Sequence, residues 1–160
     1  MTSALLINGP VTNSTLASRG VLAAMDPYGL TRMLMDGVLE RLEAAGELGE
    51  DGDPLAAGDL LEAAVLLIRE LRARLDLHSG GALAANVDDL YDYMCRRLGA
   101  HLRLSDATDP TNGLARRTHG PAALHEVSHL LDALRSAWAF MPAEVRAASR
   151  KSKALAHYGP

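Results

Sequence analysis

The run His125-Glu126-Val127-Ser128-His129 has the residue types and spacing of a zinc-peptidase helix. Two histidines one helical turn apart can bind a metal from one face, and the glutamate between them can activate a metal-bound water. The flanking pattern opposes that chemistry. Leu124, Val127, Leu131 and Trp138 form an apolar stripe, and a helical wheel centred on it turns His125 and His129 to the opposite, solvent-facing side. A catalytic zinc also needs three protein ligands and a water-controlled cavity, and no strong third ligand follows downstream. No metal site is expected here, and no catalytic residue.

The remaining reactive side chains lead to the same expectation. His101 falls within an apolar stripe, where a histidine acts as a hydrogen-bonded packing residue. Tyr91 and Tyr93 are expected as core or rim aromatics. Cys95 is the only cysteine, which excludes an intramolecular disulfide and suits a reducing compartment. Gly80-Gly81 lacks the Lys-Ser/Thr pair and the preceding strand of a phosphate-binding loop. No nucleophile or paired-carboxylate constellation stands out, so neither an enzyme activity nor a cofactor is expected.

The elements that must position these residues are helices. Hydrophobic residues make up 48% of the 160-residue chain but aromatics only 4%, and this Ala- and Leu-rich balance favours helix over sheet. Asp26-Pro27 is a helix start, because aspartate can cap a backbone N–H and proline lacks only a donor that would be unpaired there. The first helix is expected to run to about Glu47. Leu30, Met33, Leu34, Gly37 and Val38 form its inner face, and Met35, Leu39 and Leu42 extend the apolar arc beyond what burial needs. Asp53-Pro54 repeats the start signal for a second helix, with a stripe through Leu60, Ala64, Leu67, Ile68, Leu71 and Leu75 that Leu61 and Val65 widen at one edge. After a reversal at 76–81, with Gly80 suited to a left-handed conformation, a third helix runs to Leu102. Its stripe is Leu83, Val87, Leu90, Met94 and Leu98, with Tyr91, Cys95 and Leu102 on one flank. Periodicity dissolves from Ser105 to Gly120, which predicts a long connection, and a last helix starts near Pro121.

Four helices of similar length joined by short first and second links predict an all-α, antiparallel, up-down-up-down four-helix bundle over residues 26–141. Residues 1–25 predict a mobile arm with Leu16, Val21 and Leu22 as its anchors, and residues 142–160 a basic tail. The net charge of -4 gives no general attraction to nucleic acid. The longest strong apolar run, Ala63 to Ile68, ends at Arg69, far short of the ~18 residues needed to span a bilayer. Leu5-Leu6-Ile7 is too short for a signal-peptide core, so a cytoplasmic protein without membrane insertion is expected.

Several motifs resemble one family in the right order. Gly80-Gly81, Leu83-Ala84, Asn86, Leu90-Tyr91-Asp92-Tyr93-Met94 and Arg96-Arg97-Leu98 look like the third helix of the flagellar export chaperones of the FliS family. Asp26-Pro27 with Leu34-Met35-Asp36-Gly37 is similar to its first helix, and Ile68-Arg69-Glu70-Leu71 with Leu75-Asp76 to its second. Glu126-Val127 with Leu134-Arg135-Ser136-Ala137-Trp138 is similar to its fourth. The resemblance implies a shorter third link, so 107–120 reads as an insertion. It also departs from the family where Met35 replaces a typical aromatic and where the arm lacks the usual tyrosine.

The resemblance implies a non-enzymatic cytosolic chaperone that binds the disordered C-terminal region of flagellin, prevents its premature polymerisation and supports its export. The alternative is an adaptor or regulator that binds a different protein of the same secretion system. Residues left over by the core stripes are the expected partner contacts: Met35, Leu39 and Leu42, then Leu61 and Val65, then Tyr91, Cys95 and Leu102. Arg96 and Arg97 either remain solvated surface charge or pair with acidic groups on the partner.

Overall fold

A computed structural model describes residues 26–106 and 112–142, with side chains placed for 26–102 and 120–142. The arm anchors Leu16, Val21 and Leu22 and the basic tail beyond 142 lie outside the described residues. Four helices and no strand make up the described residues: α1 Pro27–Glu50, α2 Pro54–Ala73, α3 Leu77–Asp106 and α4 Asn112–Ala139.

Both Asp-Pro starts form the caps that their chemistry requires. The Gly29 N–H donates to Asp26 Oδ1 at 2.8 Å and the Ala56 N–H to Asp53 Oδ1 at 3.1 Å, with proline in the first turn of each helix. Between α1 and α2 the chain reverses at Gly52, whose φ of +88° lies in the left-handed region.

Asp76 organises the next reversal by accepting the N–H groups of His78 and Ser79. Those bonds, Ser79's first, hold its carboxyl below the usual carboxylate range. The left-handed residue is Gly81 (φ +53°, ψ -139°) and not Gly80, so the long helix proper begins after Gly81 and only a single turn precedes it. Gly80 is needed for space instead, because a Cβ there would stand 2.5 Å from Ala84 Cβ.

The third connection departs furthest from expectation. Helix α4 begins at Asn112 and passes straight through Pro121, so most of the supposed insertion at 107–120 is helical. Proline costs a helix one hydrogen bond and usually clashes with the side chain before it. Here the preceding residue is Gly120, which has no Cβ to clash.

Pairs of touching residues define the topology. Leu67 packs at the Gly37 position, Arg72 bonds Asp88 and Asp92, Arg97 bonds Glu126 while His101 lies against Gly120, and Arg135 bonds Asp36 while Leu124 approaches Gly46. Between α3 and α4, and between α1 and α4, numbers rise on one helix as they fall on the other, so those pairs are antiparallel, and the short reversals after α1 and after α2 turn the chain back at the other two seams. Each helix packs on its sequence neighbours, and α1 closes the ring against α4.

The core runs through Met35, Val38 and Leu42 of α1, Leu61, Ile68 and Leu71 of α2, Tyr91, Met94 and Leu98 of α3, and Val127 and Leu131 of α4. Each such large side chain contributes about 1.5 to 3 kcal/mol by leaving water. Burial pushes the Tyr91 hydroxyl up to about 12. At the end of the bundle where α1 begins, the Trp138 Nε1–H donates to the Tyr28 carbonyl at 3.4 Å and the two rings stack with centroids 6.0 Å apart.

Candidate partner-binding groove

Charged pairs link three of the four helix seams. Arg72 of α2 forks onto Asp88 at 2.6 and 2.9 Å and reaches Asp92 at 2.5 Å. Arg135 of α4 donates to Asp36 of α1 at 2.9 Å. Glu126 of α4 accepts from the Tyr93 hydroxyl and, at 2.8 Å, from Arg97 Nε. These groups are half-exposed, so water screens each pair and their main effect is to fix register.

Glu126 is the central residue of the peptidase-like motif, and its carboxylate is engaged by α3. Tyr93 and then Arg97 hold its carboxyl below the usual range. His125 and His129 are exposed, and among the described residues no three His, Cys, Asp or Glu side chains gather where they could hold a metal. Arg97, expected to meet an acidic partner, is paired with Glu126 across the half-exposed α3–α4 seam. His101 is half-buried and packs so closely on Gly120 that a Cβ there would lie 2.6 Å from its Cε1.

An open groove of about 480 Å³ lies between α2 and α3. Val65, Leu66, Cys95, Gly99 and Leu102 supply its small and apolar surface, and Glu62, Arg69, Arg72, Asp92 and Arg96 its charged rim. Four expected contact residues are therefore brought together: Val65, Cys95, Arg96 and Leu102. Burial pushes the Cys95 thiol up, so it remains a protonated packing group at neutral pH.

Four other expected contacts belong elsewhere. Met35, Leu42, Leu61 and Tyr91 are at most 2% exposed and form the middle of the core. Leu39 is half-buried against that core. The reason is rotational: the inward faces of α2 and α3 keep Ala64, Ile68, Leu71, Met94 and Leu98 but are turned, by a fraction of the 100° between neighbouring residues, away from where spacing alone centres them. On α2 the inward line passes through Leu61, Ala64, Ile68 and Leu71, and on α3 through Ala84, Tyr91, Met94 and Leu98, leaving Leu83 74% exposed.

Leu66 is the large apolar groove residue that spacing did not single out, and it is 62% exposed. A signal was present. Glu62, Leu66 and Arg69 recur at steps of four and three on α2, and the groove residues Asp92, Cys95, Gly99 and Leu102 do the same on α3.

The Flagellar protein FliS family model matches residues 14–145, a span that takes in all four helices. The chain belongs to the FliS family. It is 39% identical over 114 residues to the flagellar secretion chaperone FliS of Salmonella typhimurium, covering 70% of this chain and 73% of that one. With the flagellar secretion chaperone FliSB of Pseudomonas aeruginosa it shares 36% over 114 residues, 71% of this chain and 79% of the relative. The FliS of Vibrio cholerae is 29% identical over 123 residues, 77% and 80% of the two chains. The motifs quoted for α1 to α4 thus belong to a flagellar secretion chaperone scaffold. No helix of the described residues is long and apolar enough to cross a membrane.

Proposed function

We propose that this protein is a cytosolic, non-enzymatic chaperone that holds the C-terminal segment of flagellin before export and keeps it from polymerising. The observation that carries this is the α2–α3 groove, where the exposed Leu66 stands beside Val65, Cys95 and Leu102 between charged rims. A preformed bundle with such a surface suits a client that is disordered when free and amphipathic when ordered. Covering the client's apolar face removes the surface by which flagellin molecules would pair. The bundle closes its core without the client, so the binding surface is presented ready-made and the ordering cost falls on the client.

The test is calorimetric titration of the C-terminal segment of the organism's own flagellin into the full-length protein. One-to-one binding is expected, with a negative heat-capacity change from apolar burial and a gain of helicity by the client. Absence of binding at micromolar concentrations refutes the client assignment and leaves a different flagellar export protein as the partner.

A further inference from the structure

A second apolar surface lies along the α3–α4 seam, and no described residue covers it. The bonds from Tyr93 and Arg97 to Glu126 and the packing of His101 on Gly120 set these two helices antiparallel. Carried toward the end of the bundle where α3 begins, one residue back on α3 for one forward on α4, that pairing puts Leu90 beside Leu130 and Leu83 beside Ala137. Leu90 and Leu130 are half-buried against the core, but Leu83 is 74% exposed and Phe140, just past the end of α4, is 86% exposed. Among the described residues the last ion pair across this seam is that of Arg97 with Glu126, so the stretch from Leu90 to Leu83 is apolar on both walls. One exposed leucine needs no explanation, whereas a strip continuous with the core marks an interaction surface.

The chain itself supplies an occupant at the right place. The described structure ends at Pro142, two residues beyond Phe140 at the open end of the seam, and residues 143–160 follow. Helical spacing would put Val145, Ala148 and Leu155 of that segment on one face and Arg146, Arg150 and Lys153 on the other. A helix from 143 to 158 would be about 24 Å long, against about 21 Å along α4 from Glu126 to Phe140. The charges also match. Asp88, Asp89 and Asp92 lie on α3 with no Lys or Arg between Leu77 and Cys95, and Asp89 is exposed and pairs with no described residue. A second copy docked on a two-fold axis would bring those same carboxylates toward one another. The arm at 1–25 has a single charged side chain, Arg19, and joins α1, which stands diagonal to α3 in the ring.

We propose that residues 143–158 fold back as an amphipathic helix over the α3–α4 seam, antiparallel to α4, and cover Leu83 and Phe140. Val145, Ala148 and Leu155 face the strip, and the basic face meets the acidic side of α3. The chain thereby closes this surface with its own C-terminal segment and leaves the α2–α3 groove open. The assignment does not depend on which client that groove takes.

The test is backbone NMR on the isotope-labelled full-length chain. Residues 145–158 should show helical carbon shifts and order parameters of about 0.85, and in Leu83→Glu they should revert to coil shifts with order parameters below about 0.6. Leu83 is exposed in the bundle, so the shifts of α1 to α4 away from the seam should stay. Leu155→Glu releases the segment without altering the bundle at all, and should raise the fluorescence of a dye that binds apolar surface. Asp89→Lys should lower the docked population about two- to fivefold, and Leu66→Glu, in the other groove, should leave it unchanged. Coil shifts at 145–158 in the unmodified chain overturn the proposal. A segment that stays ordered in both Leu83→Glu and Phe140→Glu also overturns it, since its order then owes nothing to the seam. Loss of order on tenfold dilution assigns the seam to a second copy, and shifts at Leu83 and Phe140 that respond to Leu22→Glu but not to Leu155→Glu assign it to the arm. Either result overturns the proposal.

Discussion

Leu61 and Leu66 lie five residues apart on α2 and have the same side chain, yet truncating them should give opposite results. Leu61 is 2% exposed, so Leu61→Ala removes buried methyl groups and leaves a cavity at a cost of about 2 to 5 kcal/mol. Leu66 is 62% exposed, so in the free protein Leu66→Ala loses only a minor share of that, under about 1 kcal/mol. The balance appears on binding. Covering the remaining three-fifths of a leucine side chain yields about 1 to 2 kcal/mol, so Leu66→Ala should raise the Kd roughly five- to thirtyfold. Urea denaturation followed by circular dichroism measures the first quantity and calorimetry with the flagellin segment the second. The reasoning is refuted if Leu66→Ala shifts the urea midpoint as far as Leu61→Ala does, or if it leaves the Kd unchanged.

Glu126 should contribute to acid lability. Its folded carboxyl lies below its unfolded value, so its stabilising effect is full above the ordinary carboxylate range and is lost as pH falls through the lowered one. In Glu126→Gln, thermal melts should show a shallower loss of Tm between about pH 5 and pH 2 than in the parent protein. Gly81→Ala should destabilise the start of the long helix by about 1 to 3 kcal/mol, because its φ of +53° with ψ of -139° suits glycine alone, and chemical denaturation will measure the loss. His125→Ala with His129→Ala should leave both the melting temperature and client affinity unchanged, since both side chains face water. Stoichiometric zinc in the purified protein, with peptidase activity lost in that double variant, would contradict the structural role given to Glu126.

Local chemistry was legible in the sequence wherever one residue acts on its own neighbours. Asp26-Pro27 and Asp53-Pro54 define two helix starts because cap and first turn lie within three residues of each other. Heptad-like spacing established that four helices each bury one face, and the motifs of the third helix pointed to the family. Spacing could not set the rotation of those faces. Neighbouring residues stand 100° apart on a helix, so a rotation by part of that angle is enough to exchange rim for core, and the close packing of all four helices decides it. Tyr91 and Leu61 therefore lie inside, while Leu83 and Leu66 lie outside. The pairing of Glu126 with Tyr93 and Arg97 was equally invisible, since its partners stand 33 and 29 residues away along the chain. Helical continuity through Pro121 depended on the missing side chain of the glycine before it, and the space for that glycine is shaped by the His101 ring on the facing helix.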